Sequence, residues 1–302
     1  MSHVLAEAQK LSRTFGKKTV LHDVSLTLHG GTITGFVGAN GAGKTTALRL
    51  MLGLLPGQGT TLFCGRPLSA WKAPAAIVGS VFGGVAGHPR HSVRAHLCMV
   101  AAGAGHTDRR ADDLIDLIGM REAARTSLAK LSLGMAQRVG IAQAMIANPR
   151  ILILDEPANG LDPHSIHWLR DFLRARADEG CAVLVSSHLL AEMEQFADRV
   201  AVLSKGRIVS EGPMRDLLSY ADSRSAITVE TPQMTELAAI VQAHGGRLQI
   251  NPDHTGRITG IPRRKVGHLA ADNSIVLYQL SENATTLEDF YLTIAEEEYR
   301  AR

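Results

Sequence analysis

The residues Gly38, Ala39, Asn40, Gly41, Ala42, Gly43, Lys44 and Thr45 follow the spacing GxxxxGK[ST]. Three glycines in such a run let the backbone curl until successive N–H groups point inward, a cradle for phosphate oxygens. Apolar Ile33 to Val37 precede it and helix-compatible Ala47, Leu48, Arg49 and Leu50 follow, so the expected context is strand, loop, helix. The helix adds the positive end of its dipole. Lys44 then supplies charge to the outer phosphates of a nucleotide, Thr45 offers a hydroxyl to magnesium, and Thr46 completes the binding stretch.

A second constellation closes the apolar run Ile151 to Leu154, which ends in Asp155, Glu156 and Pro157. An aspartate there can hold magnesium through its water shell, and the adjacent glutamate can orient and deprotonate an attacking water. The two carboxylates therefore have different tasks.

The elements that must position these groups are legible as an alternation of short apolar runs with amphipathic segments before residue 220, the pattern of parallel strands joined by crossover helices. Ile151 to Leu154 and Ala182 to Val185 read as central parallel strands, apolar on both faces. Between them Asp162 caps a predicted helix with Pro163 at its first position, a stripe of Ile166, Leu169 and Leu173, and an end near Gly180. Leu189, Met193, Phe196 and Val200 form a further predicted stripe. Beyond Lys205, Gly206 and Pro213 the texture changes. Ile227 and Val229 predict a strand, Leu237, Ile240 and Val241 a helix stopped by Gly245 and Gly246, and short strands follow near 247–251 and 256–260. A helix from about 262 and a strand from Ser274 to Leu280 complete a βαββαβ pattern. Thr285 and Glu288 predict a capping box for a last helix carrying Leu287, Tyr291 and Ile294. The expected domains are thus residues 1–222, α/β with a mostly parallel sheet, and 223–302, a small α+β unit.

Composition narrows the function classes. A chain of 302 residues that is 45% hydrophobic and 20% charged is a folded protein. No run approaches the roughly 18 apolar residues of a membrane-spanning helix, and MSHVLAEAQK has no secretory core, so a cytosolic chain is expected. A net charge of +3 makes no electrostatic case for nucleic acid. Cys64, Cys98 and Cys181 lack disulfide or zinc spacing, Arg263, Arg264 and Lys265 read as a solvated helix face, and His88, His91 and His96 read as surface residues.

Leu131 to Arg138 reads LSLGMAQR, which resembles the signature motif of ABC ATPases in its LSxGMxQR form. The order of motifs is also theirs: phosphate loop, signature, Asp-Glu-Pro strand, then Ala158 to Asp162 like the D-loop and Ser187-His188 like the switch histidine. The resemblance spans nearly the whole chain. It implies a P-loop NTPase of ABC type with a helical signature subdomain, binding ATP and Mg2+. Ser132 and Gly134, opening a helix with the stripe Met135, Val139, Ala142 and Ile146, would present N–H groups to ATP held by a second copy. Asp162 belongs to the same nucleotide-binding set. His188 would contact the γ-phosphate and hold the attacking water in line. Phe15 matches the aromatic that stacks on adenine. The implied partners are a second ATPase subunit and a separate integral membrane permease, which would hold the chain on the inner face of the cell membrane.

One position departs from the family. If Val78 to Phe82 is the strand leading into the coupling loop, Gly83 stands where the family places a glutamine. The C-terminal extension, with Thr286 to Phe290, resembles bacterial exporters of the drug- and bacitracin-resistance group, and relatives that export lipids, glycans or sodium share the layout. A soluble ABC protein acting on ribosomes or DNA would usually carry two phosphate loops or a long coiled coil, and this chain has one loop and no sustained heptads. Gly83 keeps a weakly hydrolysing regulatory subunit in view.

Overall fold

The computed structural model describes residues 3–217, 226–251 and 255–283. Two compact units divide it, Met1–Pro213 and Met214–Arg302. The expected boundary at 222 falls in 218–225, and the capping box at Thr285 with the Thr286 to Phe290 stretch falls after 283, both outside the described residues.

In the first unit, β3 (Ile33–Val37), β6 (Ile151–Asp155) and β7 (Ala182–Ser187) are buried almost throughout, as strands covered on both faces must be. With β5 (Val78–Phe82), β8 (Arg199–Ser204) and β9 (Arg207–Pro213) they form a six-stranded sheet of order β5-β6-β7-β3-β8-β9. It is parallel except for β9, which turns back along β8. The parallel register aligns Val37 with Ser187 and Phe82 with Asp155. Polar residues therefore collect at one edge, where open α/β sheets bind ligands.

A second sheet was not apparent in the sequence. Strands β1 (Val4–Phe15), β2 (Lys18–His29) and β4 (Gln58–Phe63) pair antiparallel in the order β2-β1-β4. Its inward residues do not alternate cleanly, because Lys10 and Asp23 take left-handed conformations at register shifts. Each shift resets the phase, so Ala6 and Ala8 are followed inward by Leu11, and Leu21 by Val24. Helix α1 (Lys44–Met51) contacts both sheets, and Leu48 joins Leu11, Phe36 and Ile153 in one core.

Helices α2 (Val93–Gly103), α3 (Asp108–Leu117) and α4 (Leu133–Ala144) pack on one another as a helical part of the same unit. Ile146 is buried but lies beyond the end of α4. Helix α5 (Pro163–Asp178) begins at its predicted cap. The stripe predicted from Leu189 to Val200 is not one helix: α6 covers only Leu190–Glu194, and Val200 is a strand residue in β8. Apolar spacing matched a helix because the turn between α6 and β8 keeps Met193 and Val200 buried. His96 is likewise not a surface residue. It is 2% exposed on α2, with Nε2 2.9 Å from Gln143 Oε1 on α4.

The second unit contains β10 (Ala226–Glu230), α7 (Met234–Ala243), β11 (Arg247–Ile250), β12 (Gly256–Thr259), α8 (Arg263–Asp272) and β13 (Gln279–Asn283), in the order β11-β12-β10-β13, all antiparallel. Ile227, Val229, Leu237, Val241, Ile258 and Val266 make a separate core. The last strand starts later than Ser274. Ser274 is left-handed at the close of α8, where Ile275 N–H bonds back to Ala270 O, so the chain becomes a strand only at Gln279.

Candidate functional site

The phosphate loop lies between β3 and α1, and its glycines are required by shape. A Cβ on Gly38 would stand 2.3 Å from Leu203 O, and Gly41 and Gly43 have positive φ. Gly43 caps α1 without a side chain, which leaves the first N–H groups of that helix directed at the loop. Ala42 is buried while Asn40 and Gly41 face outward. Thr46 sits half-buried in the first turn.

Lys44, only 5% exposed, is stretched across this loop. Its Nζ donates to Gly38 O at 2.6 Å and stands 3.0 Å from Glu156 Oε1. Thr45 Oγ1 donates to Asp155 Oδ2 at 2.7 Å. His188 Nδ1 lies 2.8 Å from Glu156 Oε2, and with the carboxylate ionised the imidazole is the donor. The Lys44, Thr45, Asp155, Glu156 and His188 expected from sequence are therefore one contiguous cluster. Burial pushes the Glu156 carboxyl up, but the hydrogen bonds from His188 and Lys44 and their charges outweigh it and hold its pKa below the usual range. Glu156 also has φ +50, a left-handed conformation uncommon for a residue with a long side chain and of the kind found at active sites.

Ser186 is a site residue that sequence reasoning passed over. Fully buried at the end of β7, it donates to Asp155 Oδ1 at 2.6 Å and accepts from Glu156 N–H at 2.9 Å. One hydroxyl thus fixes both adjacent acids. The available signal was the polar break Ser186-Ser187-His188 after the apolar run of β7.

The oxygen pair of Thr45 and Asp155 suits a hard cation such as magnesium. Among the described residues no group of three or more His, Cys, Asp or Glu could hold a metal. A cation that retains waters and takes further oxygens from phosphate matches so small a protein donor set.

A second group gathers around the start of α4. Ser132 caps that helix by accepting from Met135 N–H at 3.3 Å, and a Cβ on Gly134 would lie 2.8 Å from Ser165 Oγ. Ser165 bonds in turn to Asp162, which accepts from its N–H at 2.9 Å and from its hydroxyl at 2.8 Å and so caps α5. These bonds lower the Asp162 pKa, the backbone N–H contributing most. Arg138 stacks 4.3 Å over Trp168, and its own pKa is lowered by burial against the attraction of Asp162. Gly134 thus packs against Ser165, which Asp162 binds, while Ser132 caps the helix that carries Gly134. Phe15 sits at the end of the β1–β2 hairpin, 44% exposed, so it is not a core residue.

A family model described as ABC transporter matches residues 21–159. The Nod factor export ATP-binding protein I of Rhizobium johnstonii is 30% identical over 302 residues, covering 97% of this chain and 96% of that protein. The chain belongs to the ABC transporter ATP-binding family. The bacitracin transport ATP-binding protein BcrA of Bacillus licheniformis is 28% identical over 292 residues, covering 94% of this ABC ATPase and 95% of that protein. A solved structure titled as the ATP binding subunit of an ABC transporter superposes with a TM-score of 0.64 at 28% identity, over 72% of this chain and 92% of that one. A model for a domain of unknown function matches residues 225–288. This ABC ATPase binds ATP and hydrolyses it for transport, and ATP-binding subunits of ABC transporters work with membrane permeases. Among its described residues no helix is long and apolar enough to cross a membrane.

Proposed function

We propose that this ABC ATPase drives an exporter of drugs or other amphipathic compounds, as a homodimer docked on a separately encoded permease at the inner face of the cell membrane. The observation that carries the export reading is likeness along nearly the full chain to proteins named for bacitracin transport and Nod factor export. Export of lipid, glycan or sodium is the alternative. The test is co-expression, in a sensitive host, with a candidate permease found among the adjacent genes. Raised resistance to bacitracin or a similar amphipathic drug that is lost with Lys44→Ala supports the reading. Resistance unaffected by that substitution overturns it.

In the chemistry, the loop N–H groups and Lys44 hold the triphosphate, and Glu156 accepts a proton from the water that attacks the γ-phosphorus as the bond to the β–γ bridging oxygen breaks. His188 orients Glu156 through Oε2 and would contact the γ-phosphate and hold the water in line. Thr45 and Asp155 would hold magnesium, which supplies charge neutralisation on the phosphates when bound. Ser186 keeps Asp155 and Glu156 in fixed relation. Phe15 would stack on adenine, and Ser132, Gly134 and Asp162 would serve the nucleotide held by a second copy. Gly83 supports the second reading, a weakly hydrolysing subunit. It follows β5 directly, where Phe82 aligns with Asp155, and brings no side chain to that place.

A further inference from the structure

We propose that Arg13 is a positioning residue for the nucleobase: it backs Phe15 so that the base stacks on the opposite face, and it ties that ring to the segment leaving the phosphate-loop helix. The inference rests on the reading of Phe15 as the adenine-stacking residue. The Arg13 guanidinium carbon lies 4.5 Å from the centroid of the Phe15 ring, within range of a cation–π contact. The guanidinium is not free to leave, because its Nη1 donates to the carbonyl of Pro56, between α1 and β4. That junction is tight. A Cβ on Gly57 would meet Leu50 Cδ1 of α1 at 2.6 Å and Ser12 O of β1 at 2.9 Å.

These contacts make a mechanical chain from the phosphate loop through α1 and Pro56 to Arg13 and Phe15. The ring needs such a support. It stands exposed at a hairpin end beside left-handed Gly16, where an unsupported Phe would sample several rotamers before a base arrives. Filling one face with a guanidinium leaves one face for adenine and fixes its side. Freezing the ring beforehand also removes an ordering cost from binding.

The experiment measures equilibrium binding of ATP and of inorganic tripolyphosphate, with magnesium, to the full chain. The variants are Arg13→Gln, Arg13→Lys, Phe15→Leu and the Arg13→Gln/Phe15→Leu double. Arg13→Gln is expected to weaken ATP about threefold, the size of an exposed cation–π contact, and to leave tripolyphosphate unchanged. Arg13→Lys recovers part of the loss, and Arg13→Gln adds nothing in the Phe15→Leu background. Equal losses for both ligands, or the same loss with and without Phe15, overturn the proposal. If Phe15→Leu weakens ATP while Arg13→Gln does not, the Arg13 inference alone fails. If Phe15→Leu leaves ATP binding unchanged, the stacking reading fails and takes this one with it.

Discussion

Lys44 Nζ stands 3.0 Å from Glu156 Oε1, so the cation of the phosphate loop and the carboxylate at the end of β6 neutralise each other across the site. A triphosphate therefore competes with Glu156 for Lys44. Winning that competition would release Glu156 from Lys44, so that the freeing of the proposed base follows occupancy of the loop.

Glu156→Gln removes the proposed base and also the competitor for Lys44. Turnover is expected to fall by at least about a hundredfold, the lower range for a general base. ATP affinity is expected to hold or rise, because Lys44 no longer shares its charge. Size-exclusion chromatography with ATP and magnesium should show a trapped dimer. Hydrolysis at the parental rate would remove Glu156 from the mechanism.

The depressed pKa of Glu156 also makes a stability prediction. A carboxyl whose folded pKa lies below its unfolded value of about 4.3 stabilises the fold above that value. The contribution disappears as pH falls through the lower, folded value. The Tm difference between the parent and Glu156→Gln should thus stay constant from neutral pH into the mildly acidic range and shrink only below about pH 4. A gap indifferent to pH down to about 2 would mean that the Lys44 and His188 contacts do not stabilise the ionised form.

Lys44→Ala takes a charge-assisted bond from the phosphates, and the expected loss of ATP affinity is about ten- to a hundredfold. The same change leaves Glu156 half-buried without the Lys44 cation. Some thermal stability should be lost in the isolated chain, and Lys44→Ala combined with Glu156→Gln should regain part of it. Unaltered ATP binding by a folded Lys44→Ala protein would contradict the phosphate-loop assignment.

How far the sequence discloses this molecule depends on whether a signal is local. The phosphate loop, the acids after β6 and the caps at Ser132 and Asp162 are contiguous strings whose shape follows from their own residues. Asp162 accepts the capping bond expected of it, and Ser132, expected to open a helix, also caps it. The β1-β2-β4 sheet stayed hidden because the shifts at Lys10 and Asp23 break its period of two. Ser186 stayed hidden because its role arises only when β7 lies beside β6, bringing together residues 31 apart in the chain. His96 is similar: nothing in its neighbours announces a partner on α4.

Truncation after residue 222 tests whether the units are separable. The core of the first unit and that of the second share no residue, and Lys44, Thr45, Asp155, Glu156 and His188 all belong to the first. The shortened chain is expected to unfold cooperatively and to keep the basal ATPase rate of the parent within about twofold, the scatter ordinary for distant, independent sites. An insoluble product, or one lacking ATP binding, would show that the second unit completes the first.

Gly83 offers the sharpest test of whether this chain lacks the family's glutamine. It follows β5 directly, one residue beyond the Phe82–Asp155 pair, and a Cβ there would find no atom within 4 Å, so a side chain has room. Its φ of +77 sets a penalty for any L-residue, on the order of 1–2 kcal/mol. Gly84 is the natural control. Its φ is +84, so Gly84→Gln carries similar strain, but its Cβ would point at Gln137 Oε1 and the Ala136 backbone of α4, 3.6 and 3.7 Å away. A glutamine at 83 enters open space and is expected to bring an amide oxygen toward Thr45 and Asp155, while one at 84 is directed at the signature helix. Gly83→Gln is therefore expected to raise basal ATPase activity at limiting magnesium by about tenfold or less, one hydrogen bond being worth on the order of 1 kcal/mol net. Gly84→Gln should not raise it, and at saturating magnesium the advantage of Gly83→Gln should fade. Identical magnesium titrations for the two variants and the parent would mean that the coupling position lies elsewhere in the loop.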